Sequence, residues 1–317
     1  MTSYDVFNGD ADGICALQQL RLARPRDGRL VTGVKRDVLL LRRVRAQPGD
    51  SVTVLDISLD SNRADLIRIL ESGADVTYFD HHHAGDVPGH PRLRAHLSRS
   101  AEVCTSLLVD EFLNGAHRLW ALVGAFGDNL DAVAFRLAGP RLGADEIDRL
   151  RELGRLLNYN SYGRTVEDLH VAPETLFERL HPHRDPLEFA SGDDTFLRLR
   201  EGYASDMEHA AGLEPEVSAP ALSVYVLPDE AWARRISGPL ANELIRRRPD
   251  VSLALLVPNT AECFTVNVRV APDGPRRADD FCRQFETGGG RAAAGGINHL
   301  PRKSLEEFVR RFRDQFS

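Results

Sequence analysis

The chain has 317 residues, of which 42% are hydrophobic and 27% are charged. This balance is typical of a folded globular protein and excludes an intrinsically disordered one, and the length suffices for two domains. The formal charge is −7 at pH 7, whereas proteins that hold long nucleic acids nonspecifically are usually basic. We therefore expect a globular protein that does not slide along duplexes.

The sequence favours a reduced, cytoplasmic protein. Its four cysteines are widely spaced, and no pair has the spacing of a zinc knuckle or a redox motif. The N-terminus lacks the basic start and apolar run of a secretory signal. Since no apolar run reaches the roughly 18 residues of a membrane-spanning helix, we expect no membrane partner.

Short apolar strands alternate with amphipathic helices over the first 130 residues. The pattern predicts, in chain order, a strand over 4–7, a helix over 13–24, a strand over 51–58, a helix over 61–73 and a strand over 74–82. Ser61 or Asn62 is the expected N-cap of the second helix, and Gly73 follows its end. Such alternation is typical of βαβ units, and it predicts an α/β fold with a parallel sheet flanked by helices.

The remainder of the chain divides at a proline-containing segment. A helical pattern covers about 99–215, and 212–221 contains two prolines and little periodicity, which indicates a linker. We expect one domain over 1–211 and a smaller α/β domain over 222–317. The second domain has a glycine-rich run and ends in a helix, where Ser304 and Glu307 form an expected capping box.

Acidic residues and histidines follow the predicted strands. Asp10 and Asp12 lie in the turn NGDADG after the first strand, Asp56 ends the second, and the run Asp80–His83 ends the third. Asp128 follows a later apolar stretch, in GAFGDN. Ligands of parallel α/β sheets collect at the carboxyl ends of the strands, so these side chains are expected to share one site.

These residue types point to a divalent metal. Asp10 and Asp12 repel each other unless a cation compensates their charges. Carboxylates combined with one or two imidazoles suit Mn²⁺ or Mg²⁺, and mixed oxygen and nitrogen ligation favours Mn²⁺. A shared carboxylate can bridge two ions roughly 3.5–4 Å apart, as in phosphoester hydrolases.

Together these motifs resemble the DHH phosphoesterases of the RecJ-like and oligoribonuclease-like superfamily, in the subgroup with a C-terminal DHHA1 domain. The resemblance rests on NGDADG, LDIS, FDHH, GAFGDN and TGGGR, which span nearly the whole chain. It implies an N-terminal DHH domain, a helical connector and a smaller DHHA1 domain, with two Mn²⁺ ions, or Mg²⁺, in a cleft between domains. A homodimer is the default expectation.

The resemblance implies a set of metal ligands. Asp10 and Asp12 are similar to ligands of separate ions, and Asp56 is similar to the carboxylate that bridges them. His81 and Asp128 are similar to ligands of the second ion.

The resemblance also implies catalytic groups beside the metals. His82 is similar to a histidine that contacts phosphate, and Asp80 to a carboxylate that orients a histidine or ligates a metal. His83 extends the usual histidine pair and is either a group on the substrate side or a solvated loop residue.

In the C-terminal domain, the resemblance implies a loop that binds substrate phosphate. The glycines of this loop, with the arginine that follows, are Gly288, Gly289, Gly290 and Arg291. Arg269, in NVRVAP, matches a position at which the family places a substrate-binding arginine.

The chain departs from the family at three positions. Val6 stands where many members have a histidine, and Asn8 stands where RecJ-type exonucleases have an extra acidic residue. If Asn8 ligates a metal, it does so as an amide, which is a poorer ligand than a carboxylate. Arg291 stands in a loop that usually reads GGGH; arginine contacts phosphate bidentately but donates no proton near neutral pH.

The implied reaction is phosphoester hydrolysis by a metal-activated water, whose pKa falls toward about 7. The net charge and the lack of a recognisable third domain favour short substrates, namely 5′-phosphorylated di- to tetranucleotides and linear dinucleotides such as pGpG. The alternatives are a RecJ-like exonuclease on single-stranded DNA, an adenosine bisphosphate phosphatase, and a catalytically lapsed nucleotide sensor, which Asn8 and Arg291 would explain.

Overall fold

The computed structural model describes residues 1–271 and 276–317, which divide into two units, Met1–Glu201 and Gly202–Ser317. The first unit contains the predicted parallel sheet. In the described residues its strands are β1 (Ser3–Phe7), β2 (Arg29–Val31), β3 (Ser51–Leu55), β4 (Asp75–Asp80) and β5 (Leu93–Leu97). Their order is β2-β1-β3-β4-β5, and each neighbouring pair is parallel.

The sequence pattern missed the two edge strands. β2 has three residues, of which Val31 is buried, and β5 reads LRAHL without a fully buried residue. The central strands of a parallel sheet are covered on both faces and are therefore apolar, whereas edge strands need not be. The three strands that were predicted, β1, β3 and β4, are the central ones.

Helices lie on both faces of this sheet, and further helices pack on them. The described helices from Ala11 to Ala210, the last of which extends into the second unit, are α1 (Ala11–Ala23), α2 (Leu59–Glu71), α3 (Thr105–Phe112), α4 (Arg118–Gly127), α5 (Asp131–Ala138), α6 (Ala144–Tyr159), α7 (Pro173–Leu180), α8 (Pro186–Ala190) and α9 (Asp194–Ala210). On one face, Val54 of the sheet shares a core with Leu66 of α2. On the other face, the ring of Phe79 lies 5.2 Å from that of Phe112 in α3, centroid to centroid.

The second unit contains an antiparallel sheet with one parallel pair. Its described elements are β6 (Val217–Ala219), β7 (Leu222–Val226), α10 (Ala231–Arg247), β8 (Ser252–Thr260), β9 (Cys263–Arg269), α11 (Ala278–Cys282), β10 (Gly288–Gly290), β11 (Ala294–Pro301) and α12 (Leu305–Phe316). The strand order is β10-β11-β9-β8-β7-β6, and α10 connects the parallel strands β7 and β8. Phe308 and Phe312 of α12 pack against Phe281 and against Val266 of the sheet.

The predicted fold class, two α/β parts with a parallel sheet in the first, is confirmed. The division after Glu201 lies inside α9, and β6 forms within the segment 212–221. The domain bounds at 211 and 222 stay a prediction. None of the described helices is both long and apolar enough to cross a membrane.

Two predicted helix caps are wrong. α2 begins at Leu59, and its cap is Ser58, whose Oγ accepts a hydrogen bond from the backbone N–H of Ser61 at 3.3 Å. The capping box at Ser304 does not form, because this residue ends a 3₁₀ turn and its side chain makes no cap hydrogen bond. Glu307 pairs instead with Arg310 and Arg311. Gly73 follows α2 with φ +88°, as predicted.

Helices α1, α4 and α6 approach one another closely through glycines. A Cβ on Gly154 of α6 would lie 2.3 Å from the carbonyl oxygen of Val123 in α4, and a Cβ on Gly127 would lie 2.2 Å from Cβ of Ala11. Both distances are below van der Waals contact, so these positions accept no side chain without a shift of the helices. This contact holds α1, which carries Asp12, against the helical layer.

We expect Gly154→Ala to lower the free energy of unfolding by about 1–2 kcal/mol, because the cost of overpacking exceeds the gain in helix propensity. Urea unfolding followed by circular dichroism measures the change. The control is Gly89→Ala, since a Cβ at that position has no atom within 4 Å. Equal urea midpoints for the two variants would contradict the close helix contact.

Candidate metal centre

The parallel sheet brings the predicted ligands to one edge. Phe7 of β1 lies beside Leu55 of β3, and Leu55 lies beside Phe79 of β4, so the three central strands end at the same level. Asp56 is the residue directly after β3, and Asp80 is the last residue of β4. Side chains distant in the sequence therefore meet where the strands end.

Asp10 is the N-cap of α1 and is almost fully buried. Its Oδ1 accepts hydrogen bonds from the backbone N–H groups of Asp12 and Gly13, both at 3.1 Å, and its Oδ2 is bound by the ammonium of Lys35. Burial acts to raise the pKa of Asp10, but Lys35 and the Gly13 amide outweigh burial and lower this pKa below its ordinary value. Asp10 is therefore held as a carboxylate.

Asp12 lies in the first turn of α1 and points at the start of α3. Its two carboxylate oxygens accept hydrogen bonds from the backbone N–H groups of Thr105 and Ser106, each at 2.7 Å. These are the first amides of α3, at the positive end of the helix dipole. The carboxylate of Asp12 thus fixes α3 to α1.

Of Asp10, Asp12 and Asp56, it is Asp56 whose carboxylate has the fewest compensating contacts. It has φ +59°, a left-handed conformation that is uncommon outside glycine, and its Oδ1 accepts a hydrogen bond from Thr105 Oγ1 at 3.0 Å. Burial, together with the charges of Asp12 and Asp10, raises the pKa of Asp56 well above its ordinary value. A bound cation would remove this penalty on the ionised form.

His81 presents a ring nitrogen to these carboxylates. Its Nδ1 lies 3.1 Å from the carbonyl oxygen of Val103, and since a carbonyl only accepts, Nδ1 carries the hydrogen. In the neutral ring, Nε2 is then an acceptor and can ligate a metal. Nε2 lies 3.4 Å from Asp56 Oδ1 and 3.9 Å from Asp12 Oδ2.

Asp80 holds His82. Asp80 is fully buried, and its Oδ1 lies 2.7 Å from Nδ1 of His82, while its Oδ2 accepts the backbone N–H of Leu59 at 3.3 Å. Burial acts to lower the pKa of His82, but the hydrogen bond and charge of Asp80 raise it above its ordinary value. This geometry matches a carboxylate that orients a histidine. A ligand atom of His82 also lies within 4.8 Å of those of Asp56 and His81.

Asp128 and Asn8 are the remaining predicted ligands. Asp128 is the C-cap of α4, and its charge contributes to raising the pKa values of His82 and Lys35. Asn8 is buried and donates from Nδ2 to the carbonyl of Lys35 at 3.3 Å. Within residues 1–271 and 276–317, its Oδ1 accepts no hydrogen bond. A buried oxygen without a donor is suited to a cation.

Sequence reasoning missed Lys35. This lysine follows the unpredicted edge strand β2, and its ammonium contacts Asp10 and donates to Asn158 Oδ1 at 3.0 Å. Burial acts to lower the pKa of Lys35, but Asp10, Tyr162 and Asp128 raise it well above its ordinary value. The composition of the chain could have drawn attention to Lys35, because only two of the 40 lysine and arginine residues are lysines, Lys35 and Lys303.

Of the remaining predicted site residues, His83 belongs to the first unit and the others belong to the second. His83 is exposed, and its carbonyl accepts a hydrogen bond from Ser58 Oγ. In the second unit, Arg269 donates from Nε to Asn242 Oδ1 at 2.8 Å. The glycines of the predicted phosphate loop, Gly288, Gly289 and Gly290, form the edge strand β10, which pairs with β11. Exposed Arg291 follows, in the turn of this hairpin.

The residues at the sheet edge fit a divalent metal. They offer several buried carboxylates, an imidazole whose tautomer leaves Nε2 as an acceptor, and an amide oxygen without a donor. Hard oxygen ligands mixed with imidazole suit Mn²⁺ and Mg²⁺. The roles of the individual residues stay predictions.

The solved structures that are similar to the chain include two of RecJ and one of a pGpG-specific phosphodiesterase. A manganese-bound exonuclease RecJ has a TM-score of 0.61 and 17% identity over 98% of this chain and 88% of that one. RecJ of Thermus thermophilus in complex with Mn²⁺ gives 0.66 and 17%, over 98% of this chain and 51% of that one. The pGpG-specific phosphodiesterase PggH of Vibrio cholerae gives 0.55 and 16%, over 99% and 98%.

Neither a protein-family model nor a curated protein sequence matches the chain. At 16–17% identity, the three structures establish the fold. The chain shares the fold of these solved structures, and the resemblance that its motifs indicate is confirmed at the level of the fold.

We expect Asp56→Asn to stabilise the protein in the presence of a chelator at pH 7, by about 1 kcal/mol or more. The raised pKa means that folded Asp56 binds its proton more tightly than the unfolded chain does, so stability falls as the pH rises above about 4. Asparagine keeps the acceptor for Thr105 without the charge. Urea unfolding between pH 4 and 8 measures this difference, which should shrink toward pH 4.

The matched control is Asp86→Asn, because the Asp86 side chain is fully exposed. We expect that variant to follow the wild type at every pH. A wild-type protein at least as stable as Asp56→Asn at pH 7 would show that the carboxylates are not in repulsion.

Proposed function

We propose that the chain is a metal-dependent phosphoesterase of the DHH type, which hydrolyses short 5′-phosphorylated oligonucleotides or linear dinucleotides such as pGpG to mononucleotides. The observation that carries this proposal is the cluster of buried carboxylates and imidazoles where the parallel strands end, with His81 Nε2 3.4 Å from Asp56 Oδ1. The likeness to a pGpG-specific phosphodiesterase over 99% of this chain supports the choice of substrate.

The proposed centre takes two Mn²⁺ ions, or Mg²⁺. Asp10, with Asn8, would hold one ion, His81 and Asp128 would hold the other together with Asp12, and Asp56 would lie between them. Bound divalent ions supply a water of lowered pKa and neutralise phosphoryl charge.

His82 is the group that we assign to the phosphoryl oxygens. Its side chain is 45% exposed, so it reaches solvent from the edge of the cluster, and Asp80 fixes its ring at 2.7 Å. Because Asp80 raises the pKa of His82, the ring gains positive charge near neutral pH. A positively charged donor in this position stabilises the charge that develops on the phosphoryl group.

The second unit would supply contacts to the substrate. Arg291 is exposed and follows a strand of three glycines, and its guanidinium can bind a terminal phosphate bidentately. Arg269 and His83 are proposed as further contacts. A terminal phosphate held in this way favours short substrates, as does the net charge of −7.

A RecJ-like exonuclease is the second candidate. It is supported by the likeness to two manganese-bound RecJ structures, with TM-scores of 0.61 and 0.66. The chain covers 51% of the RecJ of Thermus thermophilus, so the likeness extends to only part of that enzyme. A cytoplasmic location and a homodimer are further proposals for the chain.

The length of the substrate separates these candidates. We expect kcat/KM with Mn²⁺ to be at least about tenfold higher for pGpG than for a single strand of about 20 nucleotides, because an acidic protein attracts long polyanions poorly. The assay should also include adenosine 3′,5′-bisphosphate and polyphosphate. Equal rates on the dinucleotide and the long strand would favour the exonuclease, and binding without turnover of any substrate would favour the sensor.

Removal of the predicted ligands should abolish turnover. We expect Asp56→Ala and Asp128→Ala to lower kcat/KM by about 100-fold or more, since each takes a charged oxygen from the proposed centre. Asp86→Ala, which removes a fully exposed carboxylate, should keep the wild-type rate. A loss of less than about tenfold in either site variant would argue against a metal centre at this edge.

A further inference from the structure

Lys35 places a fixed positive charge among the proposed metal ligands. β2 runs parallel to β1, with Val31 beside Val6, so the segment after β2 emerges at the same sheet edge as the segment after β1. The ammonium of Lys35 contacts Oδ2 of Asp10 directly. Lys35, four residues after the end of β2, thus lies in a segment that follows a strand, as the carboxylates do.

Contacts other than Asp10 hold this ammonium. The backbone N–H of Lys35 donates to the carbonyl of Ser161 at 2.9 Å, and Nζ donates to Asn158 Oδ1 at 3.0 Å. Nζ also lies 5.7 Å from the ring centroid of Tyr162, within the range of a cation–π interaction. The segment 158–162, at the end of α6, therefore holds Lys35 in place independently of its contact with Asp10.

Position 35 carries a lysine, whose positive charge is small and localised. Basic residues elsewhere in the chain are arginines, except for Lys303 in the second unit. Lysine carries a compact point charge with three donors, whereas arginine spreads its charge over a planar guanidinium. The ammonium of Lys35 contacts Asp10, Asn158 and the ring of Tyr162.

We propose that Lys35 is a positioning residue that weakens one of the two divalent-ion sites. The inference rests on the proposed metal centre. On the side of Asn8 and Asp10, the lysine balances the charge of Asp10, the one carboxylate that we assign to this ion alone, and Asn8 contributes no charge. On the opposite side, Asp12 accepts hydrogen bonds from neutral backbone amides, and His81 faces a carbonyl and carboxylates. Affinity for divalent ions rises with the charge of the ligands, so the two sites differ in strength.

The consequence is that the chain binds one Mn²⁺ ion tightly by itself and a second ion weakly. The second site becomes favourable when an anionic phosphate adds negative charge beside Asp10. Substrate binding and loading of the second ion are then coupled, and each strengthens the other.

The test is a calorimetric titration of the full chain with Mn²⁺, without substrate. We expect the wild type to show one tight site and one site at least about tenfold weaker or undetected. Lys35→Met keeps the unbranched side chain and removes the charge. We expect it to strengthen the weak site at least about tenfold and to leave the tight site unchanged. Partial unfolding of the variant would lower its affinity for Mn²⁺. A higher affinity in Lys35→Met therefore cannot result from a damaged fold.

Two further variants complete the test. Lys35→Arg keeps the positive charge and should keep the second site weak. Asn8→Asp adds a carboxylate on the same side and should strengthen the second site while Lys35 is intact. An unchanged or weaker second site in Lys35→Met would overturn the proposal, and so would a failure of Asn8→Asp to strengthen it.

The outcome is distinguishable from a failure of the proposed function. If the wild type binds no Mn²⁺, the metal centre itself is wrong. If it binds two ions with equal affinity and hydrolyses pGpG, the proposed function holds and only the role of Lys35 is overturned.

Discussion

Repulsion between buried carboxylates shapes the first unit. Asp10, Asp12 and Asp56 are each about 2–3% exposed and converge at one edge of the sheet. The fold compensates them unequally: Asp12 receives two helix amides, and Asp10 receives two amides and the ammonium of Lys35. Asp56 receives one hydroxyl, from Thr105, and carries the raised pKa. The residual repulsion is concentrated on Asp56, where a cation would relieve most of it.

The surrounding architecture follows from this arrangement. The start of α3 has to face Asp12, since its amides supply the hydrogen bonds, and the glycine contacts of α4 hold α1 in place beneath it. The parallel register brings the strand ends level, so that Asp56 and Asp80 are neighbours. Stability is lost at such a site, because like charges are buried together, and the function that we propose gives a reason for this loss.

The sequence predicted those parts of the site that follow long apolar strands. Asp56 and the run from Asp80 come directly after β3 and β4, which are apolar because both faces of the sheet are covered. Lys35 escaped prediction because β2 is a three-residue edge strand without an apolar run. Val103 and Thr105 act on residues 22 and 49 positions away, so only tertiary packing reveals them. β10 was missed because glycines carry no strand propensity, and its pairing with β11 forms the strand.

Asn8 and Lys35 both make the charge of the proposed centre more positive. An acidic residue at position 8 and a neutral residue at position 35 would give the cluster two more negative charges. With two divalent ions bound, the four assigned aspartates and Lys35 would leave the present cluster with a net charge of +1, whereas the more acidic cluster would carry −1. A positive centre suits a substrate whose anionic groups lie close together, and a 5′-phosphorylated dinucleotide has a terminal phosphate adjacent to its scissile phosphodiester. The charge of the ligands therefore supports the same short substrate as the overall acidity of the chain.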